Sequence, residues 1–316
     1  MQKRFISILL GLIFIAACTG LGGGQQAGND KGFAGGNQAL ALAFIEGEPP
    51  AKVLDNNQES FPLTLLLSNQ GEYTIPKGKI LASLSGISRE AFGLNSLTVK
   101  STFDLEKRSK TRDQVNTGGQ EELSFGDAKY KPNLPADFGL TLRADICYDY
   151  QNEAVTAVCL KKEVLNRATI NDNCALDTQN GKIENSGGPL QISNFHQRPT
   201  GTNKIRISFD VANKGVGAAY PPGTFTAVCG GGDEKALDSV EVSISSTGNK
   251  YKISCSKFNS GDKGTIRLVN GIKTVTCEID TNTLQEAAFT DFFIIKTRYQ
   301  YRDGITYPIT IENSDF

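Results

Sequence analysis

The sequence predicts an all-β chain built as two tandem β-sandwiches, on three observations. Short segments of β character recur at close spacing between turn residues, long amphipathic helical stretches are missing, and the second half repeats residues of the first. At 316 residues there is room for two units of ordinary size, each with its own core.

Before the first strand come two other segments. Met1-Gln2-Lys3-Arg4 is a cationic head, Phe5 to Ala17 is apolar apart from Ser7 and Gly11, and Ile15-Ala16-Ala17-Cys18 closes the run with small residues before a cysteine. That is the pattern of a secretory signal. It resembles the lipobox of exported lipoproteins, and the resemblance implies cleavage before Cys18 and a lipid on that cysteine. Ordinary secretion and an uncleaved anchor are the alternatives. A spanning helix needs about 20 apolar residues, whereas this run dissolves into Gly20-Leu21-Gly22-Gly23-Gly24. All three readings place the rest of the chain outside the cytoplasm. Residues 18–37, rich in glycine, read as lipid anchor and flexible tether with a root-mean-square reach of roughly 23 Å.

The first sandwich is expected over 38–165, with strands at 39–45, 61–67, 79–84, 97–103, 140–150 and 154–160. Residues 166–187 have the Asn- and Gly-rich composition of a linker. The second sandwich, over 188–316, begins the pattern again with strands at 190–195, 204–211, 224–229, 239–245, 251–256, 265–269, 272–279, 289–301 and 305–311. Leu65-Leu66-Leu67-Ser68-Asn69-Gln70-Gly71 is echoed by Phe209-Asp210-Val211-Ala212-Asn213-Lys214-Gly215. Pro76-Lys77-Gly78, leading into one strand, is answered by Pro221-Pro222-Gly223 leading into another, and Phe44 before Pro49 by Phe195 before Pro199. The halves read as diverged copies.

Each copy is expected to close with a hairpin. Asp303-Gly304 is the signature of a two-residue turn that pairs Tyr301 with Thr306. In the first copy a loop at Asn152-Glu153-Ala154 pairs Tyr150 with Thr156 and sets Cys147 opposite Cys159, within disulfide range. Asn270-Gly271 marks a further hairpin. Apart from Cys18 there are six cysteines, an even number in an exported chain, so three disulfides are expected. The expected pairs are Cys147 with Cys159, Cys255 with Cys277 either between neighbouring strands or across the sandwich, and, by elimination, Cys174 with Cys229.

An Asn-x-Gly after an alternating strand, then Pro-x-Gly and another strand, is similar to the cell-adhesion-related (CARDB-like) immunoglobulin-like domains of bacterial and archaeal surface proteins. The resemblance covers about Gln38 to Leu160 and Gly188 to Asn313. It implies two immunoglobulin-like β-sandwiches that serve as binding or spacing units on a larger assembly.

Chemistry-bearing patterns are sparse. The net charge of −1 without basic clusters points away from nucleic acid. His196 is the only histidine and has no nucleophile signature around it, and no Cys-x-x-Cys pattern indicates zinc. Gly22-Gly24 and Gly230-Gly232 lack the Gly-Lys-Ser/Thr ending of a phosphate loop. Asp55 with Glu59, Asp172 with Asp177, and Asp233 with Glu234 lack the spacing of a calcium loop. No catalytic residue, metal or cofactor is therefore expected. Tyr148 with Tyr150 and Tyr299 with Tyr301 share a strand face at i, i+2 spacing, as core packing or as a strip that contacts a glycan or protein. The expectation is a non-enzymatic cell-surface lipoprotein. It would be held to the membrane through Cys18 and would bind an envelope protein or surface glycan, with a structural spacer as the alternative.

Overall fold

The computed structural model describes residues 32–112, 114–162, 164, 174, 176, 178–179, 181–230, 234–258, 261–284 and 288–315. The expected signal, Cys18 and the tether up to residue 31 lie outside the described residues, as does much of the expected linker. Lys31–Phe316 form one compact unit.

Among the described residues the chain is all-β, without a helix, and every strand pairing but one is antiparallel. The first half carries β1 (Leu40–Phe44), β2 (Lys52–Leu54), β3 (Phe61–Asn69), β4 (Ile80–Ser85), β5 (Thr98–Lys100), β6 (Ser109–Thr111), β7 (Gln114–Asn116), β8 (Gln120–Ala128) and β9 (Phe138–Lys161). Between the halves lie β10 (Thr178–Gln179) and β11 (Ile183–Asn185). The second half carries β12 (Leu190–Pro199), β13 (Lys204–Asn213), β14 (Ala218–Tyr220), β15 (Ser239–Ser246), β16 (Ile253–Cys255), β17 (Lys263–Arg267), β18 (Ile272–Asp280) and β19 (Ala288–Glu312).

Alternation explains why these segments are strands. Ile205, Ile207, Phe209 and Val211 on β13 are fully buried with polar residues between them, and Val240, Val242 and Ile244 do the same on β15. β8 is absent from the sequence-based expectation. Its buried positions Leu123 and Phe125 are separated from one another and flanked by Glu121 and Glu122, so its apolar signal is weak.

The strands form a three-stranded sheet (β1-β3-β8), a five-stranded sheet (β10-β12-β13-β18-β16) and a nine-stranded sheet with the path β17-β15-β19-β9-β4-β5. Their buried faces meet in one hydrophobic core. Phe44 of β1 touches Tyr307 of β19 at 5.6 Å between ring centroids, and Tyr251 stacks on Phe293 of β19 at 6.0 Å.

The centre of the nine-stranded sheet corrects the expected hairpins. β9 and β19 are continuous strands of 24 and 25 residues, and each pairs with the other along its length, from Phe138 opposite Ile311 to Lys161 opposite Ala288. Neither Asn152-Glu153-Ala154 nor Asp303-Gly304 is a turn. Each strand instead continues without a break, so its second arm pairs with the first arm of the other copy's strand. At about 3.3 Å per residue the contour length of this ladder is roughly 80 Å.

The disulfides follow from that exchange. Cys147 lies opposite Arg302 and Cys159 opposite Thr290, so the expected Cys147–Cys159 bond does not form. Cys147 bonds Cys229 and Cys159 bonds Cys174, which also replaces the expected Cys174–Cys229 pair. Cys255 on β16 bonds Cys277, directly opposite on β18.

The expected strand at 224–229 is also corrected. The counterpart of β4 is β15, which lies on β19 as β4 lies on β9. Residues 221–230 are turns and bends that lie against the first half instead. Phe225 and Cys229 join Leu81, Cys147 and Tyr220 in a second, smaller core, Cys229 N donates to Ser83 Oγ at 3.0 Å, and Lys100 Nζ donates to Thr226 O at 3.1 Å.

Candidate binding cleft

Two matching loops follow β3 and β13. In each, the Asn side chain bridges its own turn: Asn69 Oδ1 accepts from Gly71 N and its Nδ2 donates to Tyr73 O, while Asn213 Oδ1 accepts from Gly215 N and its Nδ2 donates to Gly217 O. A tyrosine from the central ladder rises against each loop. A Cβ at Gly71 would lie 1.8 Å from the Tyr150 hydroxyl, and one at Gly215 would lie 2.3 Å from that of Tyr301. Glycine is required at both places by this close approach. Tyr150 and Tyr301 therefore hold equivalent positions, as do Glu72 and Val216, each three residues after its Asn.

All four tyrosines are at most 2% exposed, so they present no contact strip to solvent. Tyr150 pairs with Tyr299 and Tyr148 with Tyr301, and their rings close a four-membered cluster with centroids about 6 Å apart. Burial raises the Tyr301 hydroxyl to about 12 and also pushes those of Tyr148, Tyr150 and Tyr299 well above their ordinary value. Three of the hydroxyls are donors held by the fold, Tyr301 through Asn213 Oδ1 at 3.1 Å. Tyr150 donates to Gly187 O at 2.8 Å, Tyr299 donates to Asn152 Oδ1, and Tyr301 accepts from Gly217 N at 2.9 Å.

The space beside the two loops differs. At the first, the chain fills its own site: Glu72 accepts from Ala34 N, Gly35 N and Gly187 N, Arg108 donates to Gly35 O, and Asn152 Nδ2 donates to Ser186 O. At the second lies a cleft of about 700 Å³, lined by the 213–218 loop, by Arg302, Asp303 and Gly304 of β19, and by Arg143 and Asp145 of β9. Asp145 is buried and binds Arg143 with two hydrogen bonds of 2.8 and 3.0 Å, and Arg302 adds a third at 3.4 Å. Its hydrogen bonds raise the Arg143 guanidinium further. Both guanidiniums keep exposed surface toward the cleft, and Val216 at its rim is 93% exposed. Gly271 also lines the cleft, and its neighbours Val269 and Ile272 are exposed.

This arrangement offers recognition chemistry: oriented backbone groups, two cations over a buried carboxylate, the carboxylate of Asp303, and an apolar rim. No nucleophile is seated against a base there. His196 lies elsewhere, on β12 opposite Ser208 and Gln179. Asp55 is tied to the chain's own backbone, accepting from Leu134 N at 2.6 Å and Ser314 N at 2.9 Å. The hydrogen bonding of Ser314 lowers its carboxyl. Glu59 accepts from Leu54 N at 3.0 Å. Asp172, Asp177 and Asp233 lie outside the described residues. Among the described residues no group of three or more His, Cys, Asp or Glu is gathered as for a metal ion, and no helix is long and apolar enough to cross a membrane.

The cleft residues are missing from the sequence-based expectation because Arg143 and Arg302 come together only through the exchanged ladder. One signal was present, the replacement of Glu72 by Val216 within an otherwise matching loop. In comparisons with known proteins, no family model matches the chain and no curated protein matches it significantly.

Proposed function

We propose that this chain is an exported, non-enzymatic lipoprotein of the cell surface, anchored through Cys18, whose two immunoglobulin-like β-sandwiches bind an envelope protein or a surface glycan. One observation carries the reading. The loop site of the first half is filled by the chain itself, while the matching site of the second half is an open cleft with Val216 bare at its rim. Val216 at the cleft and the exposed Val269 and Ile272 next to Gly271 give bare apolar surface bordered by polar groups, the kind of surface that marks an interaction site. Three disulfides accord with an oxidising compartment.

A spacer is the second reading, and the continuous β9–β19 ladder favours it, since an unbroken strand pair from Phe138 opposite Ile311 to Lys161 opposite Ala288 can hold its ends apart. The two readings separate in a binding experiment on intact envelopes with the Cys18→Ser chain. Binding predicts retention that falls at least about tenfold in the Val216→Asp/Arg302→Ala variant, the range for losing a central contact. Equal retention of both proteins, or of neither, would leave the spacer.

A further inference from the structure

The same strand edge is covered in one half and bare in the other. On β9, the edge that faces away from β19 is covered at 154–156 by β11. Ser186 N then donates to Glu153 O at 2.8 Å, and Glu153 N donates to Ser186 Oγ at 2.9 Å. Counting from Tyr150 and Tyr301, the counterparts of Asn152, Glu153 and Val155 are Asp303, Gly304 and Thr306. On β19 the matching edge pairs with β14 at 300–302 and with β2 at 310–312. Among the described residues no strand pairs with it between those points, at 303–309.

The backbone direction there is set. Thr310 N donates outward to Ala51 O at 2.9 Å, so even-numbered residues turn their N–H and C=O away from β9. Thr306 therefore offers both groups to the gap, and Pro308 offers its carbonyl while its missing N–H lies on the open side. Gly304 N is held by Asp303 Oδ1, which leaves the Gly304 carbonyl. The side chains agree. Ala154 and Thr156, beneath β11, are 1% and 2% exposed, whereas their counterparts Ile305 and Tyr307 are larger and only half-buried.

We propose that the 303–309 edge of β19 receives a short extended polypeptide segment as an added antiparallel strand. This segment has an apolar residue against Tyr307 and small residues where it enters the cleft beside Gly217. The proposal rests on the binding reading above and names the partner's chemistry. That chemistry follows from the occupant of the first half, where Ile183 lies opposite Thr156 and Ser186-Gly187-Gly188 pass the tyrosine. A Cβ at Gly188 would lie 2.5 Å from the Tyr150 ring, so only a small residue passes there. β14 and β2 stand on the same edge about 25 Å apart, which admits a segment of roughly five to seven residues and shuts out the edge of a second folded sheet. Strand addition of this kind draws affinity from main-chain hydrogen bonds and specificity from alternate side chains.

The probe is the chain's own first-half occupant, a labelled synthetic peptide of the sequence Lys182 to Pro189, titrated into the intact protein. The expected result is saturable binding with new amide protection at Thr306 and none at Val155. Thr306→Pro removes the outward donor at an exposed position and should weaken binding at least about tenfold with an unchanged melting temperature. Val216→Glu/Asp303→Asn rebuilds the first half's Glu72 and Asn152 and should strengthen binding about tenfold. Peptide binding that ignores Thr306→Pro, or that is missing in both the parent and the Val216→Glu/Asp303→Asn protein, overturns the proposal. So does tighter binding after deletion of residues 19–31, which would make the tether the occupant. If envelope retention survives Thr306→Pro yet is lost in Val216→Asp/Arg302→Ala, the strand-addition proposal falls while the binding function stands.

Discussion

Four buried tyrosine hydroxyls on the paired strands β9 and β19 make this protein sensitive to alkali. Burial raises Tyr301 to about 12 and lifts Tyr148, Tyr150 and Tyr299 well above the ordinary value, with neighbouring tyrosines and Asp303 adding to the rise for Tyr148. In the unfolded chain each ionises near its ordinary value of about 10. Above that pH the unfolded state binds fewer protons than the folded one, so stability falls as pH rises. The contribution is present in full below about pH 10 and is lost through pH 12 and beyond. The denaturant midpoint should therefore hold steady up to about pH 10 and then drop steeply, with the tyrosinate absorbance of these four of the nine tyrosines appearing only as the protein unfolds. Tyrosinate formed in full while the chain is still folded would show that the ring cluster is open to water.

Strand positions were legible in the sequence because burial alternates along them, as on β13 and β15, but the partner of a strand is not a local property. Tyr148 and Tyr150 belong to a copy of the segment that holds Tyr299 and Tyr301, so an arm from either copy presents a matching register to the same neighbour. Asp303-Gly304 favours a turn, yet it also fits a straight strand, and the choice is made by contacts more than a hundred residues away. The cleft inherits this limit, since Arg143 and Arg302 meet only when the ladder forms. A chemical check distinguishes the two arrangements. Peptide mapping without reduction should link Cys147 to Cys229, Cys159 to Cys174 and Cys255 to Cys277, whereas a Cys147–Cys159 link would restore the closed hairpin. Cys147 and Cys229 are separated by 82 residues, so the Cys147→Ala/Cys229→Ala variant should lose about 4 kcal/mol by loop entropy, read from denaturant unfolding.

Exchange of arms also makes each half incomplete without the other. The second arm of β9 covers Phe293 and Ile295, which belong to the second half's strand, and the second arm of β19 pairs with Leu140, Leu142 and Ala144 of the first. Residues 221–230 of the second half add to this interlock by lying across Leu81 and bonding Cys147. A unit held in this way should unfold in one transition, the same by far-ultraviolet dichroism and by tyrosine fluorescence. Its halves, 38–165 and 166–316, should each aggregate or self-pair when expressed alone, because a bare arm of β9 or β19 is a long unpaired edge. Expressed together they should assemble one to one through the β9–β19 ladder. Two separate monomers, each with a sharp melt of its own, would mean that the arms close on themselves, and the cleft between Arg143 and Arg302 would then no longer exist.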